Sequence, residues 1–125
     1  MSPEDFLRLY EKATASHDLE ATLELIADDA VYLFSNQSSH LGKPAIREAL
    51  RKNFDAIKAE SYRIANVTWL ATSADVAACV YEFHWSGEIH GKPASGRGRG
   101  TAVVKKVDGA WRVAHEHLSA GRLAD

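Results

Sequence analysis

The first part of the chain carries apolar residues at helical spacing, and the later part carries them at alternate positions. Helical spacing predicts a first helix that Ser2 caps and Pro3 opens. The residues predicted to face inward on this helix are Phe6, Leu9, Tyr10 and Ala13. A polar stretch follows and separates this helix from the next.

Two further helices are predicted before the alternating region. Asp18 caps a short helix whose inward residues are Leu19, Leu23 and Ile26. Pro44 opens a third helix whose inward residues are Ile46, Leu50, Phe54 and Ile57. Between them the sequence predicts a strand over residues 31–35 and then a polar loop over residues 36–42.

From Ser61 onward the apolar residues alternate with polar ones, which predicts strands over residues 62–71, 75–88 and 94–107. Helices followed by strands predict an α+β fold. We expect one domain spanning residues 1–125, with N-terminal helices packed on a strongly curved antiparallel sheet that forms a cone around an internal pocket.

Asp108-Gly109 lies between two valine-rich runs, which predicts a tight hairpin turn because both residues tolerate positive φ. The strand after the turn ends in an unusual His-x-His-x-Ser pattern. Strict alternation places one set of residues on the core-facing side: Trp111, Val113, His115, His117 and Ser119.

This tail resembles the SnoaL-like and kinase-association-domain branches of the nuclear transport factor two-like superfamily. The N-terminal half is similar as well, through Ala27-Asp28-Asp29-Ala30 before the first strand and Gly42-Lys43-Pro44-Ala45-Ile46 at the third helix. The resemblance implies a curved, cystatin-like sheet around a pocket, and often a homodimer. It implies no single function, because one fold hosts many chemistries.

Ketosteroid isomerase is the relative whose chemistry can be compared residue by residue. Its oxyanion-hole tyrosine corresponds to Tyr10, but Phe34 stands where its general base would be. Thr101-Ala102 occupies the position of its second oxyanion donor. Without a base, a tyrosine donor cannot carry out an enolisation, so this activity is not the default interpretation.

The kinase association domain is similar at the tail, where His115-Glu116-His117-Leu118-Ser119 matches until Ala120 intervenes before Gly121. We predict His117 and His115 as catalytic proton carriers, because histidine titrates near neutrality, with Tyr10 or an arginine as the oxyanion donor. Binding of one metal by both histidines, with His84 or Glu82 as a third ligand, is the less favoured alternative. We therefore expect neither a metal nor a cofactor.

Arg97 and Arg99 alternate with glycines and predict a pair of guanidiniums able to hold a carboxylate or phosphate. An exposed strand end, with the glycines serving a bulge, is an equally open interpretation. The remaining predicted ligand contacts are Tyr32, Phe34, Trp69 and His84. Aromatic residues on the strands are typical of a pocket for a flat ring, and equally of a core or a dimer surface.

With 15 basic and 17 acidic residues the charge balance argues against nucleic acid and anionic membranes as partners. Cys79 is a lone cysteine in an apolar run, which excludes a disulfide within the chain. The acidic start is unlike a secretory signal and no apolar run is long enough to span a membrane, so we expect a cytoplasmic protein.

Two functions remain open from the sequence. The first is a pocket for a small cyclic or acidic molecule, with cofactor-free acid–base chemistry of the isomerase, cyclase, dehydratase or hydrolase type. The second is a homo-oligomerisation module that uses the outer face of the sheet. In the second case we expect replacement of Tyr81 or Trp85 to dissociate the assembly.

Overall fold

The computed structural model describes residues 1–123 and shows three helices and six strands. The helices are α1 (Pro3–Ala15), α2 (Leu19–Glu24) and α3 (Lys43–Ala56). The strands are β1 (Ile26–Leu33), β2 (Ser39–Leu41), β3 (Lys58–Thr72), β4 (Val76–Ile89), β5 (Lys92–Val107) and β6 (Ala110–Ser119). The predicted α+β class is confirmed, and residues 124 and 125 of the predicted domain lie outside the described residues.

The strands form one sheet in the order β2-β1-β6-β5-β4-β3. Every neighbouring pair is antiparallel except β1 and β6, which run parallel. The sheet is antiparallel as predicted except at this one pair. Strand β1 covers the edge of β6 that does not pair with β5. A hydrogen bond of 2.8 Å from the Val113 amide to the Leu25 carbonyl holds the start of β1 beside β6.

The helix starts follow their predicted caps. Ser2 Oγ accepts from the Asp5 amide at 3.1 Å, and Asp18 Oδ1 accepts from the Ala21 amide at 3.0 Å. One inward assignment is wrong, because Leu9 is 41% exposed. Ile26 is buried as predicted, but it begins β1 instead of belonging to α2.

Strand β1 begins five residues earlier than predicted, at Ile26 rather than residue 31. Its middle bends away from β6, so Asp28 and Asp29 both remain exposed. Lys43 pairs with the first at 3.2 Å and Lys105 with the second at 3.3 Å. Backbone pairing with β1 also makes Ser39–Leu41 a short strand, where a loop was predicted.

The three strands predicted from alternation are confirmed: β3 and β5 are a few residues longer than predicted, and β4 is shifted by one residue. Asp108 and Gly109 have φ of 51° and 81°, which confirms the tight turn between β5 and β6. A two-residue turn that matches the right-handed twist of the strands requires positive φ at both of its residues.

A bulge in β6 overturns the predicted faces of the last strand. Val104 pairs with Val113, but Val103 pairs with His115, so Ala114 is an extra residue on β6. One extra residue moves every later side chain to the opposite face. As a result Glu116 is 4% exposed and points toward the helices, while His117 is exposed on the outer face.

The glycines of β5 have a different role from either predicted one. Gly96, Gly98 and Gly100 pair with Trp85, Phe83 and Tyr81 in an unbroken register, so they mark no bulge. A Cβ at any of the three would lie 2.5 Å from an atom of the paired aromatic side chain. The glycines therefore let three aromatic side chains of β4 lie flat across the β5 backbone.

Candidate active site

A cavity of about 280 Å³ lies between the helices and the concave face of the sheet. Its wall is mainly aromatic and includes Phe34, Phe54, Tyr62, Phe83 and Trp85. Such a wall fits a flat or cyclic organic molecule better than an extended polar one.

Glu116 is the buried carboxyl group of this cavity. Tyr10 donates a hydrogen bond of 2.6 Å to its Oε2, and Tyr81 donates one of 2.8 Å to its Oε1. Tyr32 lies beside Tyr10, with 2.7 Å between their hydroxyl oxygens. Tyr62, the remaining tyrosine of the chain, also lines the cavity. One carboxyl group is therefore surrounded by phenols.

The fold delivers these side chains from four different elements. Tyr10 comes from α1, and Tyr32 on β1 pairs directly with Glu116 on β6. Tyr81 starts on β4, two strands away from β6, and must cross β5 to reach the carboxylate. It crosses exactly over Gly100, where a Cβ would lie 2.5 Å from the ring and 2.7 Å from the hydroxyl.

Tyr32, Tyr10 and Glu116 form a hydrogen-bonded chain that has two possible directions. When Glu116 is ionised it accepts from Tyr10, so Tyr10 accepts from Tyr32. When Glu116 carries a proton it can donate to Tyr10, which then donates to Tyr32. The second direction frees the Tyr32 hydroxyl hydrogen for a partner in the cavity.

Burial sets the protonation of this cluster. Desolvation raises the pKa of Glu116 above its ordinary value, although the hydrogen bonds from Tyr10 and Tyr81 oppose that shift. Desolvation and the nearby carboxylate raise the pKa of the phenols well above their usual value, so they remain proton donors. Glu116 is thus the group of the cluster whose charge changes most readily.

The cavity has acidic groups but no basic group among the described residues that line it. The two acids are Glu116 and Glu60. Glu60 bonds at 2.5 Å to His17, whose ring stacks on Phe54 with centroids 4.4 Å apart. An anionic ligand would therefore meet two carboxyl groups and no lysine, arginine or histidine among the lining residues.

Three predicted site residues line this cavity: Tyr10, Tyr32 and Phe34. Trp69 instead packs against the core farther along β3. The roles predicted for these side chains stay predictions, but the first three share one cavity with Glu116.

His115 and His117 lie on the outer face of the sheet rather than in the cavity. The predicted shared face with Trp111 and Val113 is wrong because of the Ala114 bulge. His115 Nδ1 forms a hydrogen bond of 2.7 Å with the Val31 carbonyl. The imidazole rings of His115 and His117 pack edge to face, with 6.2 Å between their centroids.

The predicted arginine pair also faces outward. Arg97 lines a separate surface groove with His84 and Arg63, and these three residues pair across β3, β4 and β5. Arg99 Nε donates to Ser119 Oγ at 3.0 Å. The sheet backbone therefore separates all the predicted cationic contacts from the cavity.

Two absences hold for the part of the chain that the structure describes. Residues 1–123 contain no group of three or more His, Cys, Asp or Glu side chains placed to hold a metal ion. In the same range, no helix has the length and apolar character needed to cross a membrane.

The sequence interpretation missed Glu116, which it placed on the outer face between the two histidines. It also treated Tyr81 as a general pocket, core or interface aromatic and gave Tyr62 no role. One signal was available: all four tyrosines fall on core-facing positions of their elements, and buried phenols usually hydrogen bond to a partner. Nothing in the sequence marks Ala114 as the bulge.

The family model described as SnoaL-like domain matches residues 4–122. A protein from Novosphingobium aromaticivorans named "putative aromatic ring hydroxylase" has a TM-score of 0.86 at 19% identity, over 97% of this chain and 87% of that one. A "putative scytalone dehydratase" from the same organism has a TM-score of 0.84 at 17% identity, over 97% and 83%.

An NTF2-like protein of unknown function from Pseudomonas putida has a TM-score of 0.80 at 21% identity, over 97% of this chain and 86% of that one. No curated protein matches the chain significantly. At these identities the structural likeness establishes the fold alone.

Proposed function

We propose that this chain, which belongs to the SnoaL-like domain family, binds a small uncharged ring compound in its cavity and moves a proton on it with Glu116. The observation that carries the proposal is a buried carboxyl group on the wall of an aromatic cavity, held by two phenols. A carboxyl group in that setting is a stronger base than an exposed one because its pKa is raised.

The charges of the cavity support an uncharged ligand rather than the acidic one allowed by the sequence. Glu60 and Glu116 line it, and the arginines predicted to hold an anion lie on the other face of the sheet. A ring compound also suits the aromatic wall. One structural neighbour carries a name that refers to aromatic rings.

The proposed reaction is proton removal from a carbon beside a ring carbonyl. Ionised Glu116 takes the proton, the electron pair of the broken C–H bond forms a carbon–carbon double bond, and the π pair of the carbonyl moves onto its oxygen. The new proton on Glu116 reverses the hydrogen-bonded chain through Tyr10, so the Tyr32 hydroxyl donates to the developing oxyanion. Return of the proton to carbon or to another atom of the ring completes the cycle without a cofactor.

Deuterium exchange tests this proposal without knowledge of the natural substrate. We expect the protein to accelerate exchange of the hydrogens beside the carbonyl of 2-tetralone in D2O, measured by NMR. Glu116→Gln should slow the catalysed exchange by about 100-fold, the scale of one general base. His117→Ala should leave it unchanged, because that side chain is exposed on the outer face of the sheet.

Two outcomes would contradict the proposal. Catalysed exchange that survives Glu116→Gln would remove this carboxyl group from the chemistry. A wild-type rate equal to that of buffer, in a sample that binds 2-naphthol, would leave a binding protein without the proposed proton transfer.

The homodimer implied by the resemblance stays a prediction. Tyr81 and Trp85 are unsuited to test it, because Tyr81 is 0% exposed and Trp85 lines the cavity. Half-buried residues that point outward near the middle of the sheet, such as Val80 and Val103, are the appropriate positions for interface variants. The assembly module remains the less favoured function.

A further inference from the structure

Thr14 carries an unpaired hydroxyl on the wall of the cavity. Among the residues that the structure describes, its Oγ1 is the one buried side-chain oxygen or nitrogen without a hydrogen-bond partner. Thr14 lies one helical turn after Tyr10 on α1, so the two side chains share the face that lines the cavity.

An unpaired hydroxyl at this place is unusual for a threonine in a helix. Such a hydroxyl ordinarily donates to the backbone carbonyl four residues earlier, as Thr22 Oγ1 does here to the Asp18 carbonyl at 2.8 Å. Thr14 makes no such bond, and a buried hydroxyl without a partner costs stability. A ligand oxygen in the cavity would supply the missing partner.

The Thr14 hydroxyl is separate from the Glu116 cluster. Tyr10 lies one turn before Thr14 on α1, and its hydroxyl is already shared between Tyr32 and Glu116. The Glu116 cluster and the Thr14 hydroxyl are therefore two separate polar points on the wall of this largely aromatic cavity. One point changes charge with pH, and the other is a neutral hydroxyl.

We propose that Thr14 Oγ1 is a second anchor for the ligand, which is an uncharged ring compound with two separate oxygen substituents. One substituent lies at Tyr32 and Glu116, and the other, a hydroxyl or carbonyl, bonds to Thr14. This inference rests on the proposed function, since it names the ligand class of the same cavity.

Paired ligands test the second anchor. Titration calorimetry of 2-naphthol and 2,6-dihydroxynaphthalene at pH 7 should show the diol binding about 10-fold more tightly, the scale of one good hydrogen bond. Thr14→Val keeps the shape and removes the hydroxyl, so the two ligands should then bind equally within about twofold. Thr14→Ser keeps the hydroxyl and should keep the preference.

A preference for the diol that survives in Thr14→Val would overturn the inference. Wild-type protein that binds 2-naphthol without preferring the diol would also overturn it and leave the proposed function intact. Wild-type protein that binds neither compound would overturn both.

Thermal unfolding without ligand gives an independent readout. Thr14→Val should raise the Tm by about 4 °C, because it removes an unpaired buried hydroxyl at constant shape. A fall in Tm would mean that the hydroxyl has a stabilising partner within the protein, which contradicts its availability to a ligand.

Discussion

Gly100→Ala should lower the free energy of unfolding by about 3 kcal/mol, the cost of forcing an extra carbon into a tightly packed site. The new Cβ would lie 2.5 Å from the Tyr81 ring and 2.7 Å from its hydroxyl oxygen. Tyr81 is 0% exposed and cannot swing into solvent. The variant should therefore also displace the Tyr81 hydroxyl, which donates a hydrogen bond to Glu116. Urea denaturation measures the loss in free energy of unfolding.

Gly96→Ala is the matched control for this overpacking. It adds the same carbon on the same face of β5, against Trp85, which is only partly buried and borders the open cavity. We expect a cost of about 1 kcal/mol, since this side chain has room to move. Equal losses in free energy of unfolding for the two variants would contradict the claim that Tyr81, unlike Trp85, cannot move away from the added carbon.

Tyr81→Phe should destabilise the protein by about 3 kcal/mol at pH 8 and by about 1 kcal/mol at pH 4, by urea denaturation at each pH. Its hydroxyl donates to Glu116 Oε1 inside the protein, and a hydrogen bond to a buried charge is worth more than one to a neutral group. The pH dependence follows because a rise in pH favours the ionised form of Glu116, whose pKa burial raises above the ordinary value.

The same substitution in a Glu116→Gln background isolates this interaction. With no charge at position 116, Tyr81→Phe should cost about 1 kcal/mol at both pH values. A cost at pH 8 that is the same in both backgrounds would show that Tyr81 acts through ring packing and not through the carboxylate.

Linkage predicts the direction in which Glu116 itself affects stability. Burial raises its pKa in the folded protein, so folding favours the protonated form. The stability that this group contributes is complete below the ordinary glutamate pKa and is lost as pH rises through the raised value. Ionisation of Glu116, which proton removal requires, therefore lowers the free energy of unfolding.

The sequence was sufficient for the fold because the signals that determine it are local. Ser2 and Asp18 cap their helices as predicted, and Asp108-Gly109 turns the last hairpin as predicted. Alternation located the long strands to within a few residues. These features depend on neighbours along the chain, which a single sequence displays.

Only part of the site could be predicted, because the pairing register of the strands decides which side chains face the cavity. Tyr10 was placed in a pocket from the resemblance, and Tyr32 and Phe34 because they are aromatic residues on a strand. All three line the cavity. Glu116 was missed because one extra residue, Ala114, reverses the faces of the strand after it. Alternation cannot reveal a bulge at an alanine, which fits either face of the sheet.

The glycines show the same limit in a different form. Alternation of Gly96, Gly98 and Gly100 with arginines suggested open backbone for an anion, because the sequence does not tell which residues lie across the next strand. Their partners are Trp85, Phe83 and Tyr81, and the missing side chains make room for those aromatic side chains. Pairing between strands, which the chain alone does not specify, decides the role of each glycine.

The pKa of Glu116 tests the central claim most directly. A pH titration of the side-chain carboxyl ¹³C signals, with the Glu116 signal assigned by its loss in Glu116→Gln, measures it in the folded protein. We predict a pKa above the ordinary glutamate value, and a further change when 2-naphthol fills the cavity. A pKa at or below the ordinary value that does not respond to 2-naphthol would contradict Glu116 as the proton-exchanging group of this cavity.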